Sequence, residues 1–184
     1  MRLFVSVDLP DTLAEPIAGL QDDLAPAAGI DLTDPTQAHL TLKFLGDVDP
    51  DRLDDIEAAL ERAVDAADVD PFEATFEGVG AFPSEEYIRV VWLGVSTGAD
   101  AFTALARAVE AELTDIGFDP EGHDFTPHVT LGRMHHAGGK ERVQAFLRER
   151  DPTVGSMVVE EVRLTESQLG PDGPEYRTVF PVPL

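Results

Sequence analysis

The sequence predicts an α+β fold of two similar lobes, each a largely antiparallel sheet with helices on its outer face and a cleft between them. Three observations predict it. Periodic segments follow the order strand, helix, strand, helix, strand, strand, helix, strand, helix, strand, strand. Several neighbours in that order are hairpin-like. A His-apolar-Thr-Leu tetrad occurs twice, at His39–Leu42 and His128–Leu131. The tetrads stand 89 positions apart in a chain of 184 residues, so each half carries one. The length suits a single domain, 1–184, of two intertwined lobes, and an apolar content of 43% is enough for a core.

The first segment, MRLFVSVDL, alternates with period two and places Leu3, Val5 and Val7 on one strand face, Phe4 and Ser6 on the other. Asp11 is positioned to cap a helix over Thr12–Leu24, with Pro16 in its first turn. A loop rich in Ala, Asp and Thr leads to a strand over His39–Leu45, which Gly46 ends. Asp49-Pro50 opens a helix to about Ala66, with Leu53, Ile56, Leu60 and Val64 at helical spacing. Phe72–Phe76 and Tyr87–Val95 read as strands on either side of a turn-rich GVGAFPSEE. A helix over Asp100–Ile116 is stopped by Gly117. The polar loop EGHDFTP precedes a strand over His128–Met134, and Gly138-Gly139 leads into a helix to about Arg150. Thr153–Thr165 and Tyr176–Pro181 are strands joined by the loop QLGPDGPE.

Composition narrows the chemistry. With no cysteine, disulfides, thiolate nucleophiles and cysteine-held zinc are excluded. His123, His135 and His136 do not make a metal site by spacing, since adjacent strand residues point to opposite faces and no HExxH pattern occurs. No metal and no cofactor are expected. Nothing at the N-terminus reads as a signal peptide, and no apolar run approaches the roughly 18–20 residues that span a bilayer. A cytoplasmic, monomeric protein with no membrane contact is expected. Asp and Glu number 36 against 13 Lys and Arg, giving a net charge of −23. Such a chain repels nucleic acid unless its acids answer to a salt-rich, halophilic solvent, where they are screened. Their spread along the whole chain favours the solvent.

Residues two apart on a strand share a face. His39 and Thr41 therefore point one way over a packed Leu40 and Leu42, and His128 and Thr130 repeat this over Val129 and Leu131. A pseudo-twofold between the halves would bring both His-Thr pairs to one cleft. Two imidazoles can then serve as general acid and base, and two hydroxyls can donate to phosphate oxygens. Lys43 falls on the face of His39 by alternation. Arg133, five residues after His128, faces away unless a twist or bulge redirects it. Arg89 lies in an apolar strand and needs a partner, either a phosphate or an acid. Phe4 either stacks a base in the cleft or fills a second core layer.

HLTLKFLG and HVTLGR resemble the paired His-X-Thr-X motifs of the two-histidine (2H) phosphoesterases, in the branch of RNA 2′,3′-cyclic phosphodiesterases and 2′-5′ RNA ligases. LFVSVDLP, GVGAFP, RVVWLGV and VRLTESQLGPDGPEY also fall where that family has similar segments, so the resemblance covers nearly the whole chain. It implies metal-free hydrolysis of a terminal 2′,3′-cyclic phosphate of RNA, tRNA fragments among the candidates, to a 2′-phosphate. His39 would be the general acid and His128 the general base, with an arginine at Arg133 on the phosphate. Ser167 and Tyr176 fall at polar positions of the family's last strands. A small cyclic nucleotide or ADP-ribose cyclic phosphate as substrate, or an RNA-end-binding module without catalysis, remain alternatives, and reverse 2′-5′ joining would use the same groups.

The charge reading has a direct test. Raising KCl from about 0.1 M to about 1 M shortens the Debye length from about 10 to about 3 Å and should relieve carboxylate repulsion, so Tm should climb strongly. A Tm highest below about 0.2 M salt would assign the acids to another partner, such as a basic protein.

Overall fold

Alternating apolar residues and short turns build one curled antiparallel sheet with four helices outside it. The computed structural model describes residues 1–184. In chain order the elements are β1 (Arg2–Asp8), α1 (Ala14–Asp22), β2 (Ile30–Leu32), β3 (His39–Asp47), α2 (Leu53–Ala67), β4 (Phe72–Pro83), β5 (Ile88–Val95), α3 (Ala99–Asp115), β6 (His128–Met134), α4 (Lys140–Glu149), β7 (Thr153–Val159), β8 (Glu161–Gly170) and β9 (Gly173–Pro183). The strand order is β7-β4-β5-β6-β3-β1-β8-β9, with β2 beside the end of β6. The predicted two-lobed arrangement is thus present as two half-sheets, β7-β4-β5-β6 and β3-β1-β8-β9. They meet through a single ladder pair, Leu40 with Val129.

The halves are interlaced. α3 leaves β5 but packs on β3 and against α2, while α1 leaves β1 and packs on β6 and β7. α4 covers β4. The buried apolar side chains accordingly form one connected cluster of 34 residues that includes both Leu40 and Val129. No helix is long and apolar enough to cross a membrane.

Several local expectations are corrected. Asp11 does not cap a helix: Asp11–Leu13 form a 3₁₀ turn, and α1 begins only at Ala14. Pro16 does lie in its first turn, where a helix needs no N–H. The loop after α1 contains the short strand β2, held against β6. GVGAFP is strand, not turn, paired with β5, and Gly80 leaves room for the side chain opposite it. A side chain at Gly80 would collide with the Trp92 indole. Gly46 bulges β3 at a φ of 73° but does not end it, and pairing continues to Asp47. The predicted strand Thr153–Thr165 splits at Glu160 into β7 and β8, which belong to different halves. The expected eight-residue loop after it is largely hairpin, with pairing from Ser167–Tyr176 out to Gly170–Gly173.

Two β-bulges matter most. In β3, Thr41 lies opposite Ser6 and Lys43 opposite Val5, so Leu42 is an inserted residue. In β6, Thr130 lies opposite Trp92 and Gly132 opposite Val91, so Leu131 is inserted. An inserted residue reverses the alternation that follows it. Lys43, expected beside His39, therefore turns to the helix side and is only 2% exposed. Its Nζ donates to Glu110 Oε2 of α3 at 2.6 Å and to the Asp119 carbonyl at 2.9 Å. Phe44 takes the open face instead and is 62% exposed.

Removing a buried ion-pair partner strands the other charge, although Glu110 keeps some contact with water. Lys43→Ala should lower the unfolding free energy by about 2 kcal/mol in urea titration. A loss below about 0.5 kcal/mol would show that water already serves these groups.

Candidate active site

His39 and His128 open β3 and β6, the two strands that touch only at Leu40 and Val129. In an antiparallel pair with that register, His39 falls opposite Thr130 and Thr41 opposite His128. Leu40 and Val129 are buried behind, while all four polar residues are half-buried on the open side. Each imidazole is thus crossed with the other strand's threonine.

Both rings are anchored alike. His39 Nδ1 donates to the Gln37 carbonyl at 3.0 Å, and His128 Nδ1 to the Thr126 carbonyl at 2.6 Å. A carbonyl only accepts, so the proton of each neutral ring lies on Nδ1 and Nε2 is left free. Aromatic walls fix the ring planes. Phe4 and Tyr176 lie 5.0 and 4.9 Å from His39, and Phe82 and Trp92 lie 4.9 and 6.1 Å from His128, between centroids. The Thr41 and Thr130 hydroxyls make no hydrogen bond within the protein.

The bulge in β6 turns Arg133 onto this same face. The Leu131 carbonyl, displaced from the ladder, accepts from Gln21 Nε2 at 3.0 Å and from the Thr33 amide at 3.0 Å. Buried Gln21 of α1 therefore helps hold the distortion that sets Arg133. Arg133 is exposed, has no acid partner, and acts electrostatically on both His39 and His128.

Burial pushes both histidines below the ordinary value of 6.5, against the carbonyl hydrogen bonds that raise them. Smaller effects separate the two. Asp8, opposite His39 in the register of β1, favours its proton, whereas Arg133 disfavours it. Around His128 the charges of Arg133, His123 and His39 all oppose protonation. Asp8 is itself held by Arg163 Nη1 at 2.7 Å. A hollow of about 430 Å³ beside His39 is lined by Asp8, Gln37, Arg163, Thr165 and Tyr176 among others.

Of the sequence candidates, His39, Thr41, His128, Thr130 and Arg133 come together, and Lys43 does not. Phe4 is 4% exposed, lies against His39 and Tyr176 and lines the hollow, outside the connected apolar core. Arg89 has no acid as its partner. It is exposed and donates to the Tyr87 hydroxyl at 2.8 and 3.1 Å. His135 pairs with Asp31 at 3.2 Å, His136 accepts from the Gly138 amide, and no group of three or more His, Asp and Glu is arranged to hold a metal ion. Sequence reasoning missed Asp8, Gln21, Phe82 and Trp92 as neighbours of the site. Only Trp92, in the strand facing HVTL, carried a signal that pairing could have used.

A profile of the 2'-5' RNA ligase superfamily matches residues 9–171. The chain is similar to a Methanothermobacter thermautotrophicus protein named RNA 2',3'-cyclic phosphodiesterase, 38% identical over 178 residues, which are 96% of this chain and 95% of that one. A protein of the same name from Archaeoglobus fulgidus is 36% identical, over 96% of this chain and 97% of its own. The crystal structure of TT0787 of Thermus thermophilus matches with a TM-score of 0.81 at 30% identity, covering 100% of this chain and 98% of that one. Escherichia coli LigT complexed with 3'-AMP shares the fold, with a TM-score of 0.81 at 24% identity, covering 100% of this chain and 97% of that one.

The charge pattern predicts how the two rings titrate. By NMR, both His39 and His128 should have midpoints below 6.5. Arg133→Gln should raise both, and Asp8→Asn should lower that of His39 alone. The folded state releases these protons more readily than the unfolded chain. The two rings therefore leave stability intact above pH 6.5 and reduce it as pH falls through 6.5 toward the folded midpoints. Midpoints at or above 6.5 would mean that the cleft is open to solvent.

Proposed function

This chain belongs to the 2'-5' RNA ligase superfamily, and from that premise we propose that it hydrolyses 2′,3′-cyclic phosphate ends of RNA to 2′-phosphates, with His39 as general acid and His128 as general base. The observation that carries this reading is the crossed pair of His-Thr units, each imidazole presenting a free Nε2 and each threonine an unpartnered hydroxyl. The relatives that bear the name RNA 2',3'-cyclic phosphodiesterase support the substrate class.

A cyclic phosphate seated between the strands is attacked by water opposite the 3′ oxygen. His128 Nε2 accepts a proton from that water as the new P–O bond forms. His39 Nε2 gives its proton to the 3′ oxygen as the P–O3′ bond breaks, which leaves the phosphate on the 2′ oxygen. The rings return to their starting states by exchange with solvent. Asp8 favours the proton on His39, and the cations around His128 keep it neutral, which supports acid and base in this order. Thr41, Thr130 and Arg133 face the non-bridging oxygens, where charge grows in the transition state. The anionic substrate adds negative charge between the rings and so offsets the effect of burial on their protonation. With a 5′-hydroxyl in place of water, the same groups would open the cyclic phosphate onto the 5′ oxygen: His128 takes the hydroxyl proton, His39 gives one to O3′ as the P–O3′ bond breaks, and a 2′-5′ phosphodiester with a free 3′-hydroxyl results.

An EDTA-containing assay on a cyclic-phosphate-ended oligonucleotide tests the scheme. His39→Ala and His128→Ala should each lower turnover by about 10²–10⁴-fold, and Thr41→Val and Thr130→Val by about 10–10³-fold. A histidine variant that keeps more than about a tenth of the activity would remove that residue from proton transfer.

A further inference from the structure

Three donor side chains form one row across the sheet beside the catalytic cleft, and nothing within the protein uses them. β1 pairs with β8 without a bulge, so Arg2, Phe4 and Ser6 share a face. That face is the cleft face, because the Phe4 ring lies against His39 and Tyr176. Arg2 is directly opposite Ser167 of β8, and Ser167 is directly opposite Tyr176 of β9. A guanidinium, a hydroxyl and a phenol are therefore aligned on adjacent strands.

Each of the three is free. Arg2 is exposed and has no ion-pair partner, although Asp47 stands opposite it on β3. The Ser167 and Tyr176 hydroxyls make no hydrogen bond, while the Tyr176 amide is fixed by Gln37 Oε1 at 3.1 Å. Both Arg2 and Arg133 bear electrostatically on the Tyr176 phenol. In a chain of net charge −23, where Arg62, Arg150, Arg163, Arg177 and Lys43 are engaged by acids, two unpaired arginines on one cleft face form a local basic track. The track takes in Arg133, the Tyr176 ring that touches His39, and Arg2.

We propose that Arg2, Ser167 and Tyr176 form a second phosphate subsite, which binds the internucleotide phosphate on the 5′ side of the terminal nucleoside. It rests on the reading of the chain as a phosphodiesterase of RNA ends, and it adds the reason for RNA: a strand end carries a second phosphate one nucleoside away, and a cyclic mononucleoside does not. The arginine supplies a planar fork for a phosphate and the two hydroxyls complete its shell.

The test compares adenosine 2′,3′-cyclic phosphate bearing a 5′-hydroxyl, the same compound bearing a 5′-phosphate, and a dinucleotide with a 2′,3′-cyclic end. The wild-type protein should prefer the last two in kcat/KM by about tenfold or more, mainly through KM. In Arg2→Gln that ratio should fall toward one, in Tyr176→Phe it should fall in part, and in Arg2→Lys much of it should survive. The dependence of log KM on log salt for the 5′-phosphorylated compound should weaken by about 0.7 in Arg2→Gln. A wild-type ratio near one, or a ratio that Arg2→Gln leaves intact, overturns the subsite while leaving the hydrolase reading standing. Failure of the wild-type protein to open any of the three compounds overturns both.

Discussion

The whole site depends on how little β3 and β6 are joined. A full ladder between them would lay the two half-sheets flat and press the polar faces of both strands into one plane. With a single pair, Leu40 and Val129, the halves splay, and a space opens above the junction in which four polar side chains meet. β2 takes over the pairing of β6 beyond Leu131, so the strand does not expose an unpaired edge where β3 leaves it. The interlaced helices then hold the splay, since α1 and α3 each pack on the half-sheet opposite to the strand they follow.

The second constraint is the pair of bulges at Leu42 and Leu131. They occupy the same position in the two tetrads, and both reverse the alternation two residues past the threonine. One places Phe44 on the open face and sends Lys43 inward. The other places Arg133 on the open face over a buried Gly132. The symmetric scaffold thus delivers an asymmetric pair of side chains, an aromatic on one strand and a cation on the other. The same asymmetry appears in the charges, with Asp8 beside His39 and a set of cations around His128. A site with two equivalent imidazoles has no preferred direction of proton transfer; these neighbours favour the direction proposed above.

The acidic surface and the cleft follow different rules. Seven of the thirteen Lys and Arg are engaged by neighbouring acids, a carbonyl or a phenol, and Arg2 and Arg133 on the cleft face are among those that are not. Binding in such a protein rests on a few unpaired donors held in place, and a long electrostatic surface has no part in it. This would reconcile a net charge of −23 with the polyanionic substrate proposed above.

The sequence by itself determined the α+β class, the four helices and most of the strands in their order, and the two His-Thr units, because each leaves a local mark: period-two or helical spacing, a stop at Gly117, an exact repeat of His-apolar-Thr-Leu. The family resemblance rests on the same local marks. Only the tertiary structure decided the sidedness of Lys43 and Arg133, since a bulge is defined by the partner strand and leaves no trace in its own. It also decided that GVGAFP is strand, through the indole that lies on Gly80, and that Asp8 and Arg163 reach His39 from a neighbouring pair of strands. Local pattern reports which face a residue takes while alternation holds. Where alternation breaks, the side chain's direction is set by residues a hundred positions away, as Gln21 holding the Leu131 carbonyl shows.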